Sequence, residues 1–138
     1  ICDTSSVEPD TGLIVRGRPI KTLTEILPEE CFYLLLTGEL PDSPAVLALQ
    51  ADLRNRATVP PYVWDVLRAM PADSHPMAML NTAILVMERE SVFRAEYDRG
   101  MKKDDYWKAT LEDSLNILAR LPAIAAGIRT SMPVPVKA

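Results

Sequence analysis

Met77-Ala78-Met79-Leu80-Asn81-Thr82-Ala83-Ile84-Leu85-Val86-Met87 carries only Asn81 and Thr82 as polar residues. The run is shorter than the about 20 apolar residues that a membrane crossing needs. As a helix it is apolar nearly all round, and such helices are buried rather than laid on a surface. One side must meet the chain's own core or another subunit. Asp73 or Ser74 is placed to cap its start, with Pro76 in the first turn. Glu88-Arg89-Glu90 marks its wet end.

Helical signals extend in both directions from this segment. Upstream, Tyr62 to Met70 places Val63, Val66 and Leu67 at i, i+3 and i+4, between Pro60-Pro61 and Pro71. Asp42 or Ser43 caps an earlier helix whose apolar face is Val46, Leu47, Leu49 and Leu53, with Arg54 and Arg56 near its end. Pro28 opens another. Glu29 and Glu30 sit where the helix dipole favours anions, and Gly38 stops it. Thr22 to Ile26 reads as a short helix before Pro28.

Downstream, Ser91 to Tyr97 makes a short helix ending near Gly100. Asp104 or Asp105 then opens the longest helix. Trp107, Leu111, Leu115 and Leu118 form its expected core stripe, with Glu112 and Asp113 on a solvated opposite face. Pro122 should kink or interrupt it. Ala123 to Ile128 resumes as a small-residue, tightly packing segment. Met132-Pro133-Val134-Pro135 cannot continue a helix.

Only the N-terminal segment reads as β structure. Ser5-Ser6-Val7 leads through Glu8-Pro9-Asp10-Thr11-Gly12 into Leu13-Ile14-Val15-Arg16, a hairpin ended by Gly17 and Pro19. The expected fold class is all-α: short packed helices with one small N-terminal β-hairpin. The boundaries are a hairpin segment at 1–20, a helical region at 21–131 and an extended tail at 132–138.

A chain of 138 residues with 48% hydrophobic and 25% charged residues is one globular domain or a piece of one. A net charge of −4 argues against a general nucleic-acid binder. The stretch that starts at Ile1 has no basic n-region followed by an apolar h-region, so it does not read as a signal peptide. Cys2 and Cys31 lack CxxC spacing, so no zinc site is expected. Cys31 sits in an apolar run and reads as a buried small hydrophobe.

Candidates for chemistry are few. His75 is the only histidine and the only side chain whose ordinary pKa lies near neutrality. At a helix start its ring bonds a nearby backbone group or packs, and no partner completes a triad. The pairs Glu29/Glu30, Asp104/Asp105 and Glu112/Asp113 are adjacent residues, and on a helix such neighbours diverge by about 100°. No glycine-rich phosphate loop is present. Met70, Met77, Met79 and Met87 read as core. Lys102-Lys103 forms either a solvated loop or a point-charge contact to a phosphate.

Several blocks, read in order, resemble the citrate synthase family. They are Ser6 to Gly17, Leu27 to Gly38, His75-Pro76-Met77, Ser91-Val92-Phe93 to Gly100, Tyr106-Trp107 to Asp113, and Leu121-Pro122-Ala123-Ile124-Ala125-Ala126. The flavour is that of the long, eukaryotic-like type, which also occurs in bacteria. The resemblance implies a mostly helical large domain, of which this chain is the first part, trimmed at both ends. It implies a homodimer through the helices at 62–70 and 77–90. It also implies an acyltransferase that condenses acetyl-CoA with oxaloacetate to citrate and CoA.

That family's chemistry uses an aspartate and several histidines and arginines, whose motifs lie downstream. No catalytic residue, resident cofactor or metal is therefore expected in this segment, and acetyl-CoA is a substrate of the full enzyme. One position carries over. Lys103 sits where similar enzymes place a basic residue against a CoA phosphate, with Lys here in place of Arg. The implied location is the bacterial cytoplasm, or the mitochondrial matrix in a eukaryote. Neither a nucleic acid nor a membrane is implied as a partner. The alternatives are 2-methylcitrate synthase of the same family and a non-catalytic helical dimerisation or scaffold protein.

Overall fold

The computed structural model describes residues 4–131. The expected tail at 132–138 lies outside the described residues. The chain divides into two compact units, Ile1–Asp52 and Leu53–Ala138.

In the first unit, β1 (Ser5–Glu8) pairs antiparallel with β2 (Gly12–Val15), with Ser5 opposite Val15 and Glu8 opposite Gly12. The expected hairpin is present, and a short third strand, β3 (Arg18–Pro19), extends it on the far side of β2. The second turn uses Arg16 and Gly17, both left-handed at φ 47° and 76°. Positive φ at both central residues is the geometry whose twist suits a two-residue hairpin loop. The sequence reading took Gly17 as a terminator, whereas it reverses the chain. Arg16 also donates from Nε and Nη2 to the Leu35 carbonyl at 3.0 and 2.7 Å.

The short helix expected over Thr22 to Ile26 does not form. A 3₁₀ turn spans Ile20–Thr22, closed by the Leu23 N–H on the Ile20 carbonyl at 2.9 Å. Little room is left before Pro28, which forces Leu27 into extended backbone at φ −71°, ψ 152°. α1 (Pro28–Thr37) then starts with the Leu27 N–H donating to Glu30 Oε2 at 2.6 Å, and stops at Gly38 with φ 86°. Val15, Leu23 and Leu34 form the unit's core, flanked by Leu13 and Ile26. Cys31 is half-buried rather than buried.

α2 (Ser43–Arg56) is capped by Asp42, whose Oδ1 accepts from the Ala45 N–H at 2.9 Å. Its expected apolar face is only half-buried at Val46, Leu49 and Leu53, and Leu47 is exposed.

The second unit is helical. α3 (Pro61–Ala69) and α4 (Pro76–Val86) pack on each other, and α4 packs on α6 (Tyr106–Ser131). Val59, Val63, Leu67, Met79, Ala83, Met87, Ile124 and Ile128 make one core. Full burial of a side chain such as Val63 or Ile124 is worth about 1.5–3 kcal/mol. α4 is capped neither by Asp73 nor by Ser74. His75 takes the position because the residue before a proline is pushed out of the helical region, here to φ −64°, ψ 134°. Among the described residues α4 is covered on one side. Met79, Ala83 and Met87 are buried, while Met77 and Leu85 are 55% and 72% exposed.

A 3₁₀ turn, Met87–Glu90, leads to α5 (Val92–Asp98), capped by Ser91 Oγ on the Arg94 N–H at 3.0 Å. α6 continues through Pro122 without interruption. Proline removes one ladder bond, and the buried Ile124 and Ile128 hold the following turns in place. The expected stripe of α6 is also revised. Trp107 is 62% exposed and Leu118 is exposed, while Ala109, Leu115 and Ala119 are buried.

Candidate functional site

Lys103 opens the 3₁₀ turn Lys103–Asp105 that precedes α6. It is exposed, its carbonyl accepts the Tyr106 N–H, and its ammonium has no ion-pair or hydrogen-bond partner among the described residues. The preceding loop is firmly held. Gly100, at φ 88°, donates its N–H to the Tyr97 carbonyl at 2.9 Å, and the Met101 N–H reaches the Glu96 carbonyl at 3.0 Å. Phe93 meets Tyr106 edge-on at 5.1 Å between ring centroids, and Tyr97 lies 6.1 Å from each of them. These rings tie the end of α5 to the start of α6, so the lysines sit on a clamped hinge. Lys102, not Lys103, lines the adjacent groove of about 650 Å³, with Met101, Trp107 and Leu111.

The other candidates have structural work. His75 Nδ1 accepts from the Met77 N–H at 3.2 Å, so the ring satisfies a helix-end donor from an exposed position. Glu30 closes the start of α1, and Asp105 bridges Lys108 at 2.7 Å. Glu112 and Asp113 do not form a solvated face. Arg56 Nη1 reaches Glu112 Oε2 at 2.7 Å and Asn116 Oδ1 at 2.9 Å. Asp113 Oδ1 accepts from the Val92 N–H at 2.7 Å, and its Oδ2 accepts from Ser91 Oγ and the Phe93 N–H at 2.6 and 3.1 Å. One carboxylate on α6 thus caps α5. Among the described residues no group of His, Cys, Asp or Glu is placed to hold a metal ion.

Sequence reasoning missed a second cavity, of about 270 Å³, between the Met87–Glu90 turn and α6. Arg120 lines it with Glu88, Glu90 and Asp113, and bonds Glu90 Oε2 through Nη1 at 3.1 Å. Glu90 Oε1 accepts from the Tyr62 hydroxyl at 3.4 Å. Burial first, then the Glu90 carboxylate and its hydrogen bond, push the Tyr62 phenol above its ordinary 10.0. The folded state therefore holds this proton more tightly than the unfolded chain does. Its contribution is complete below the unfolded value and is lost as pH rises through the folded one. In denaturant titrations from about pH 9 to 11, Tyr62→Phe should flatten the alkaline loss of stability.

A family model described as "Citrate synthase, C-terminal domain" matches residues 1–134. The chain belongs to the citrate synthase family. It is 42% identical over 134 residues to the mitochondrial citrate synthase of Saccharomyces cerevisiae, covering 90% of this chain and 28% of that protein. It is 40% identical to the mitochondrial 2-methylcitrate synthase of Yarrowia lipolytica, covering 90% and 29%. The chain therefore spans less than a third of the length of these curated relatives. Among solved structures it is similar to the citrate synthase of Thermoplasma acidophilum in a ternary complex with carboxymethyl coenzyme A and oxaloacetate. The TM-score is 0.72 and the identity 17%, over 97% of this chain and 34% of that one. At that identity the likeness is one of fold, and it agrees with the all-α citrate synthase architecture expected from the sequence.

Proposed function

We propose that this chain is part of the large domain of an enzyme that condenses acetyl-CoA with oxaloacetate to citrate and CoA. Within it, 1–20 is the hairpin segment and 21–131 the helical scaffold. The observation that carries this reading is the family match from residue 1 to 134, together with 42% identity to a citrate synthase. The segment supplies scaffold and contact surface rather than the reacting groups. Its one imidazole caps a helix, and the condensation needs an ionised acid and imidazoles around a bound organic acid. The purified 138-residue chain should form no citrate, while a longer polypeptide containing it should. Citrate made by the short chain alone would overturn the assignment of scaffold.

Lys103 is the residue that meets substrate, as a point charge on a CoA phosphate. Its exposed position and free ammonium support this role. In the longer enzyme Lys103→Ala should raise KM for acetyl-CoA about tenfold, the worth of one charge-assisted contact, with kcat nearly unchanged. Lys103→Arg should retain low KM. An unchanged KM in the alanine variant would remove Lys103 from the binding site.

The exposed Met77 and Leu85 on α4 support a homodimer through the helices at 62–70 and 77–90. Sedimentation of Leu85→Arg in the longer enzyme checks this, with dissociation to monomer as the expected result. Relatives named mitochondrial support a mitochondrial location if the source is a eukaryote, and a relative named peroxisomal is equally similar. The 2-methylcitrate relative, at 40% identity, keeps a second reading with propionyl-CoA as substrate. Comparison of kcat/KM for the two thioesters distinguishes the readings.

A further inference from the structure

We propose that Phe93 is a positioning residue, which fixes through Tyr106 where the Lys103 ammonium reaches. The inference rests on the reading of Lys103 as the contact to a CoA phosphate.

Lysine is a point charge on a flexible four-carbon stem, so its side chain does not place itself. What can be fixed is the backbone from which the stem grows. At Lys103 that backbone is a 3₁₀ turn of three residues. The Lys103 carbonyl accepts the Tyr106 N–H, and the Lys102 carbonyl accepts the Asp105 N–H at 3.0 Å. Hydrogen bonds in such turns have poorer geometry than those of an α-helix, so a turn this short needs support from packing.

Phe93 supplies that support from α5. Its ring meets Tyr106 edge-on, with centroids 5.1 Å apart and planes at 69°. Edge-to-face pairs at this distance are favoured because the positive edge of one ring faces the negative face of the other. Phe93 is itself held. Its N–H donates to Asp113 Oδ2 at 3.1 Å, and the Val92 N–H donates to Asp113 Oδ1 at 2.7 Å. Asp113 lies about two turns beyond Tyr106 on α6. Phe93 is therefore tied to α6 twice, by its backbone at Asp113 and by its ring at Tyr106.

The approach to Lys103 is anchored from the other side as well. The Gly100 and Met101 N–H groups close the end of α5 on the Tyr97 and Glu96 carbonyls. Only Lys102, in extended backbone at φ −74°, ψ 148°, separates that closure from the turn of Lys103. Tyr97 completes the trio. Its ring stacks on Phe93 at 16° and 6.1 Å, and it is 57% exposed. Loss of the Phe93 ring frees Tyr106 and, with it, the origin of the Lys103 stem. The effect acts only through the phosphate contact, so it cannot exceed the loss of that contact.

Steady-state kinetics of the longer enzyme test this. Phe93→Leu should raise KM for acetyl-CoA about threefold, within the about tenfold expected of Lys103→Ala, with kcat and KM for oxaloacetate unchanged. Phe93→Tyr keeps the ring and should keep the parent KM. In a Lys103→Ala background Phe93→Leu should add nothing, which a general packing defect would not reproduce. Tyr97→Leu, at an exposed position, should show the same pattern at about twofold and decides the matter if Phe93→Leu does not fold. If Lys103→Ala leaves KM unchanged, the phosphate contact and its positioning both fall. If Lys103→Ala raises KM, the positioning alone falls on either of two results. One is an unchanged KM in the ring variants, and the other is a rise of equal size with and without Lys103. A rise in Phe93→Tyr as large as in Phe93→Leu also overturns it.

Discussion

Asp113→Ala lowers the stability of the helical unit by about 3 kcal/mol, the largest effect expected of a polar substitution here. The side chain accepts the Val92 and Phe93 N–H groups and the Ser91 hydroxyl. Two helix-start donors in a part-buried site would lose a charged acceptor. Hydrogen bonds to charged groups are worth about 1.5–3 kcal/mol each, and partial rehydration limits the total. Asp113→Asn keeps an oxygen for Val92 but turns an NH₂ group toward Phe93, so it should lose about half as much. Ser91→Ala removes the cap on Arg94 and the hydroxyl that donates to Asp113, and should cost about 1–2 kcal/mol. Urea unfolding followed by circular dichroism measures all three. A loss under about 1 kcal/mol for Asp113→Ala would mean that water replaces the carboxylate.

Gly127→Val is the apolar counterpart, with an expected loss of about 3 kcal/mol. A Cβ at Gly127 would lie 2.5 Å from Trp64 Cζ3 and 2.8 Å from Cη2. The ring lies against the bare backbone of α6. Helix propensity alone makes Gly→Ala favourable by about 1 kcal/mol. Steric conflict reverses the sign, so Gly127→Ala should destabilise by about 1 kcal/mol net. In a Trp64→Leu background the same change should become stabilising. If Gly127→Ala stabilises the unaltered protein, the indole moves aside at little cost and the close fit is not a constraint.

Local signals in this chain carried most of the element boundaries. Pro28 and Gly38 bracket α1, Asp42 caps α2, and Gly100 closes the segment after α5. Each acts through its own φ preference or a side chain within a few residues. The spacing of Val63 and Leu67 also gave the correct buried side of α3.

The face of α6 was misread for a different reason. Trp107, Leu111, Leu115 and Leu118 share one helical face, so their spacing invites burial. Glu112, Asp113, Asn116 and Arg120 lie about half a turn away. They bond Arg56, the start of α5 and Glu90, partners distant in sequence. Periodicity assumes that the inward face is apolar. It cannot register that α5, a short helix, needs a carboxylate from a neighbouring element to satisfy its first N–H groups.

The same limit applies to the candidate site. Lys103 is visible as a charge beside a glycine, but the aromatic trio that holds its loop depends on tertiary packing. The Arg120 cavity left no mark in the sequence because Glu88, Asp113 and Arg120 come together there only through tertiary packing. His75 was legible as structural from its solitude, yet its capping role required the backbone geometry that Pro76 imposes.

The passage of α6 through Pro122 has a consequence for how this helix breathes. The imino ring offers no proton to the Leu118 carbonyl, so the backbone ladder is cut at one rung. Amides on either side of the gap should exchange with deuterium as separate blocks. The later block should follow the opening of the Val63–Ile124 core, and the earlier one the release of Asp113 from α5.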